Sequence, residues 1–163
     1  MTKLKSLSVL RRIIAAEKSK GRIVVLANGC FDLFHAGHIR YLGAAKAKGD
    51  VLVVALNSDR SVRKLKGVGR PILEERERAE ILSSFFFVDF VTIFDEPTVA
   101  GILLALRPDI HVKGSDYTRE TIPERDTVRS YGGRTAIVGG PKIRNTTQVI
   151  RQIAARIEQE GRK

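Results

Sequence analysis

Six consecutive apolar residues, Val51 to Leu56, constrain this chain more than any other stretch. A strand with one face in water alternates apolar and polar side chains. An unbroken β-branched run instead suits a strand buried on both faces of a parallel sheet. Further strand-like runs occur at 23–27, 85–94, 109–112 and 134–138, which makes five. Helix-like segments separate them. Residues 7–18 place Leu7, Leu10, Ile13 and Ile14 on one face, with Arg11, Arg12 and Lys18 around the other. Others run from His38 to about Gly49-Asp50, over 74–84, 97–106 and 124–131, and over 146–160. In the 74–84 segment Glu74 and Arg78 stand at i,i+4 and read as a surface ion pair. The last segment keeps Val149, Ile150, Ile153, Ala154 and Ile157 on one face. Strands alternating with helices define an α/β class with a mostly parallel sheet.

A chain of 163 residues suits one well-buried domain and is short for two. Residues 1–163 therefore read as a single domain, with 1–20 an amphipathic N-terminal helix packed on it and 146–160 a C-terminal helix. No apolar run reaches membrane-spanning length, and no apolar core of a secretory signal stands at the N-terminus. Cys30 is the single cysteine, so no intramolecular disulfide forms. A cytoplasmic location is expected. The net charge of +11 raises the question of nucleic acid. Residues 1–22 hold seven Lys/Arg against one acid and residues 142–163 hold six against two, which leaves the centre close to neutral. A solvated helix face explains such terminal runs, and a nucleic-acid partner is not expected.

The stretch from Asn28 to His38 reads Asn-Gly-Cys-Phe-Asp-Leu-Phe-His-Ala-Gly-His. It lies between a strand and a helix, and His35 and His38 stand three apart on the first turn, on one side. The first N–H groups of a helix have no intrahelical partner, and its dipole attracts anions. Gly37 leaves room for a ligand near the backbone. Together these describe a phosphate site. The same pair also fits half a zinc site or plain polar residues at a helix start. Asp32 is the one other candidate ligand nearby and Cys30 has no cysteine partner, so no metal site is assigned.

His-Ala-Gly-His in this context resembles the HxGH motif of the nucleotidyltransferase superfamily, which includes glycerol-3-phosphate cytidylyltransferase and pantetheine-phosphate adenylyltransferase. The resemblance implies a Rossmann-like, doubly wound five-stranded sheet with helices on both faces. It also implies the joining of a nucleoside triphosphate to a phosphorylated small molecule, with release of pyrophosphate. Further matches run in order: Asn57-Ser58-Asp59, Leu65-Lys66-Gly67, Arg70-Pro71, Val112-Lys113-Gly114 with Asp116-Tyr117, Tyr131-Gly132-Gly133 and Thr146-Thr147. The series is similar to the adenylyltransferase domain of bacterial ADP-heptose synthases, over roughly residues 1 to 160, without their attached sugar-kinase domain.

That resemblance implies ATP and D-glycero-D-manno-heptose 1-phosphate as substrates, with Mg²⁺ escorting the triphosphate, and a homodimer or higher homo-oligomer. It implies catalytic roles for His35, His38 and Lys66 on phosphate charge. The candidate nucleotide contacts are Asn28, Gly29, Phe31, Asp32 and Gly37 in the first loop and Asn57 and Asp59 in the second. Lys113, Gly114 and Asp116 follow in the third, and Thr146 and Thr147 at a helix start. Two departures stand out. Asn145 replaces the usual serine, and Gly140 stands where related cytidylyltransferases carry an arginine, a charge that Lys142 or Arg144 would have to supply.

Bland readings stand beside these. The 57–66 segment reads as a strand-end loop whose cations are simply solvated, Asp59 as a turn residue, and Thr146 and Thr147 as helix caps. His111 reads as a core or edge residue with no assigned role, and Cys30 as a small buried side chain. Gly67-Val68-Gly69 follows no strand and lacks the third glycine of a dinucleotide fingerprint, and no Walker motif occurs. Two alternatives remain at this stage: a cytidylyltransferase acting on a polyol phosphate such as glycerol 3-phosphate, and a basic nucleic-acid-binding module.

Overall fold

The computed structural model describes residues 3–118, 120–140 and 146–160. Five strands form one parallel sheet: β1 (Val24–Gly29), β2 (Val51–Asn57), β3 (Phe90–Phe94), β4 (Ile110–Lys113) and β5 (Arg134–Ile137). Their order is β3-β2-β1-β4-β5. The winding thus reverses between β1 and β4, where Leu26 stands opposite His111 and Ala27 opposite Val112. In open α/β sheets a ligand crevice forms beyond the strand C-termini at such a reversal.

The two-residue strand period builds both layers of the core. Val25 and Ala27 of β1, with Leu52, Val54 and Leu56 of β2, meet Leu42 and Ala45 of α2 (Ala36–Lys46) and Ala79 and Leu82 of α4 (Glu75–Ser84). The alternate residues Val24, Leu26, Val51, Val53 and Ala55 face the other way. They meet α1 (Leu7–Ser19), α5 (Ala100–Leu106) and Val128 of α6 (Arg125–Ser130). Every residue of β2 is buried, as its unbroken apolar run requires. The N-terminal helix docks through Leu10 and Ile14, both essentially inaccessible. Burial of such side chains stabilises by about 1.5–3 kcal/mol each.

Four expectations change. The 57–66 loop is largely a helix, α3 (Asp59–Lys66), capped by Ser58, whose Oγ accepts from Ser61 N at 3.1 Å. It is polar almost all round, with Ser61 and Val62 its buried residues, so no apolar period announces it. The 85–94 strand begins only at Phe90, because Phe85 to Phe87 form an aromatic cluster in the turn before it. Arg78 is no surface partner of Glu74: it is fully buried. The last helix, α7 (Thr146–Glu160), forms as expected, yet none of its residues is buried. Asn145, Lys142 and Arg144 lie outside the described residues.

Candidate functional site

A cleft of about 700 Å³ opens at the C-terminal ends of the strands, over the β1/β4 reversal. Its floor begins where β1 runs out. Gly29 lets the chain fold back on itself, since a Cβ there would lie 3.1 Å from the Phe31 ring. Phe31 takes a left-handed φ of 45°, costly for a non-glycine residue and held here by a ring that is 4 % exposed. That ring contacts Phe34, His38 and Tyr41. Asp32 then turns inward, and its carboxylate accepts from Arg70 Nε at 2.5 Å, Ile72 N at 2.7 Å and Leu73 N at 3.1 Å. The buried acid therefore fastens the 70–73 segment against the cleft.

His35 caps α2, and His38 lies in its first turn. Their rings stack with centroids 3.9 Å apart and planes 21° from parallel. Phe31 and Phe34 meet His38 edge-on at 5.3 and 5.4 Å. Burial in this aromatic surround, with His35 adding to it, lowers the pKa of His38 to about 4. His38 is thus a neutral donor at neutral pH. Burial also raises the Cys30 thiol, against the pull of Lys66, Arg78 and Arg70. Cys30 stays protonated and is no nucleophile.

The opposite wall comes from β4 and the segment after it. Lys113, the last strand residue, pairs with Glu124 at 3.1 Å, both nearly buried, and its ammonium lies 5.2 Å from the centre of the Tyr117 ring. Tyr41 bridges the walls by donating to Val112 O at 2.9 Å. Of the residues singled out by sequence, Asn28, Gly29, Phe31, Asp32, His35, Gly37, His38, Asn57, Lys66, Lys113, Gly114, Asp116, Thr146 and Thr147 all border this one cleft. Asp59 does not: its Oδ1 accepts from Arg78 Nη2 at 2.7 Å and is not part of the cleft lining.

Sequence reasoning gave Arg78 only a surface ion pair with Glu74 and no place at the site. Its guanidinium donates to Leu73 O at 3.0 Å, Cys30 O at 2.5 Å and Asn57 O at 2.8 Å, besides Asp59. One side chain thus joins the β1 loop, the β2 end and the 70–73 segment. No pattern in the sequence separates it from the exposed Arg76 two residues earlier. Arg70, Tyr41 and Glu124 are also cleft residues absent from the sequence-based set. Arg70 was legible as part of the Arg70-Pro71 match, but no site role was assigned to it.

The profile of the cytidylyltransferase-like family matches residues 26–154. The chain belongs to this family. It is 47% identical to the bifunctional protein HldE of Syntrophotalea carbinolica over 158 residues, 97% of this chain and 32% of that protein. It is 50% identical to the HldE of Geobacter metallireducens over 151 residues, 93% of this chain and 31% of that one. The chain therefore spans about a third of the length of these relatives. Among solved structures it is similar to a lipopolysaccharide core biosynthesis protein from Thermoplasma volcanium, with a TM-score of 0.61 and 31% identity. That match covers 72% of this chain and 95% of the other. The cleft thus lies in a cytidylyltransferase-like fold, with the HxGH histidines on its floor. Among the described residues, no helix is long and apolar enough to cross a membrane.

Proposed function

We propose that this chain transfers AMP from ATP to a sugar 1-phosphate, D-glycero-D-manno-heptose 1-phosphate, giving ADP-heptose and pyrophosphate. The stacked His35–His38 pair at the start of α2, opening into a cleft at the sheet reversal, carries this reading. The order of matching motifs along the chain and the similarity to HldE proteins support the choice of substrates.

In this reaction an oxygen of the acceptor phosphate attacks the α-phosphorus of ATP. A new P–O bond forms there as the bond to the β-phosphate bridge breaks and pyrophosphate leaves. The protein holds the two reactants in line and meets the shifting phosphate charge with donors and cations. His35, His38, Lys66 and the α7 start at Thr146 and Thr147 are the groups around the cleft suited to that task. Among the described residues no group of three His, Cys, Asp or Glu side chains offers a metal cage. The Asp32 carboxylate is committed to Arg70 and two amides, and Glu124 to Lys113. Such a donor set suits Mg²⁺ arriving on the triphosphate, held mainly by phosphate oxygens and water.

A pyrophosphate-release screen of ATP, CTP, GTP and UTP against sugar and polyol phosphates tests the proposal. ATP with the heptose 1-phosphate is expected to give the highest kcat/KM. Preferential turnover of CTP with glycerol 3-phosphate would replace it with the polyol-phosphate reading. A steep salt dependence of oligonucleotide binding, without turnover of any triphosphate, would instead point to a nucleic-acid-binding module.

Lys66 offers a narrower check. It is the last residue of α3 and borders the cleft, whereas Lys64 does not. A hydrogen bond to a charged group contributes about 1.5–3 kcal/mol, roughly ten- to a hundredfold. Lys66→Ala is expected to weaken ATP binding and turnover by about that factor, and Lys64→Ala to do much less. Equal, small effects of the two would reduce the cluster to solvated surface charge.

A further inference from the structure

His111, the one histidine outside the HxGH turn, is fully buried in β4 directly across the sheet reversal from β1. Its Nε2 lies 3.0 Å from Oδ1 of Asn28, a residue of the cleft floor 83 positions away. Its Nδ1 is buried and has no hydrogen-bond partner among the described residues. We infer that His111 is a positioning residue that locks the Asn28 amide with its NH₂ group turned to the cleft, to donate to a phosphate oxygen of the bound nucleotide.

Two arrangements join these side chains, because an imidazole has two tautomers and an amide two orientations. In the first, Nε2–H donates to Oδ1, and Nδ1 keeps a bare lone pair. In the second, Nε2 accepts from the Asn28 NH₂ group, which forces the proton onto Nδ1 and buries an N–H without an acceptor. Orphaned buried N–H groups are the rarer defect. A third state, with both nitrogens protonated, is removed by burial and by the nearby Lys113 charge, which bring the pKa down to about 3. The first arrangement remains. It occupies the oxygen of Asn28 and leaves two donors at a site built for anions. A side chain that presented its oxygen there would repel a triphosphate.

The inference rests on the proposed use of ATP, and two measurements separate its failure from the failure of that reading. Nitrogen-detected NMR of the unliganded wild-type protein should report the Nε2–H tautomer for His111 between pH 5 and 8, and an Nδ1–H tautomer overturns the assignment. The second measurement is a double-mutant cycle on Mg-ATP binding by titration calorimetry. Asn28→Ala should weaken binding by about ten- to a hundredfold, the range for a hydrogen bond to a charged group. His111→Leu should weaken it by up to about tenfold, and the double variant should bind no worse than Asn28→Ala alone. His111→Gln, which retains a donor, should recover part of the loss. Additive losses, or wild-type affinity in His111→Leu, would show that the histidine serves only the core. Should His111→Leu fail to fold, the tautomer and the His111→Gln affinity still decide the matter. No Mg-ATP binding by the wild type would sink the proposed function, and the positioning inference with it.

Discussion

Arg78→Ala is expected to be the most destabilising single substitution in this protein, at roughly 3–5 kcal/mol, the cost of breaking a buried charged pair by removing one partner. The guanidinium satisfies three backbone carbonyls and the Asp59 carboxylate from a position with no solvent access. Its removal leaves those acceptors without donors in the same small volume, and each unsatisfied buried acceptor costs about 1–3 kcal/mol. A domain of this size has about 5–15 kcal/mol of stability in all. Arg78→Lys should recover only part, because a single ammonium cannot reach acceptors spread around a planar fork. Urea unfolding measures the effect through the midpoint at unchanged slope. A loss under about 1 kcal/mol would mean that water replaces the guanidinium and that the three segments hold together without it. Turnover should fall as well in the fraction that folds, since Cys30 O lies one residue before Phe31, whose ring supports His38.

How much of this was legible beforehand follows from the range of each interaction. The β2 run could be read because it is apolar at every position, and the two-faced helix α1 because its apolar residues repeat with period 3.6. The HxGH turn could be read because a strand end, a glycine and two histidines lie within eleven consecutive residues. Strand order could not, since nothing in β4 states that it lies beside β1 and not β3. For that reason the contacts made across the reversal were invisible: His111 to Asn28 and Tyr41 to Val112. Charge was the least legible property. Glu74 and Arg78 have the spacing of a surface pair, yet burial turned Arg78 inward and left Glu74 as a helix cap. In α7 the apolar stripe is plain in sequence, but Ile153 and Ile157 are 50 and 64 % exposed. Periodicity gives a helix its face and is silent on what meets it.

His38→Ala is expected to lower kcat by about 10²–10³, the usual cost of removing one placed donor to developing charge. The attacking group needs no general base, because a phosphate monoester with a second pKa around ~6 is already largely ionised at neutral pH. The imidazole therefore works as a donor held in place. Its stack on His35 and its edge contacts to Phe31 and Phe34 do the holding. The depressed pKa fits that role, since a neutral ring keeps its one N–H without needing a counter-ion while the cleft is empty of substrate. Arrival of a triphosphate would favour the protonated form and raise the pKa again. His35→Ala should behave similarly, and the double variant should fall short of the product of the single losses, because two stacked rings serve one set of phosphates. His38→Asn, which keeps a donor, should recover part of the activity. Thermal melts are the necessary control. Unfolding of His38→Ala would make the ring a structural member of the Phe31–Phe34 cluster, and full activity in the folded double variant would end the catalytic assignment.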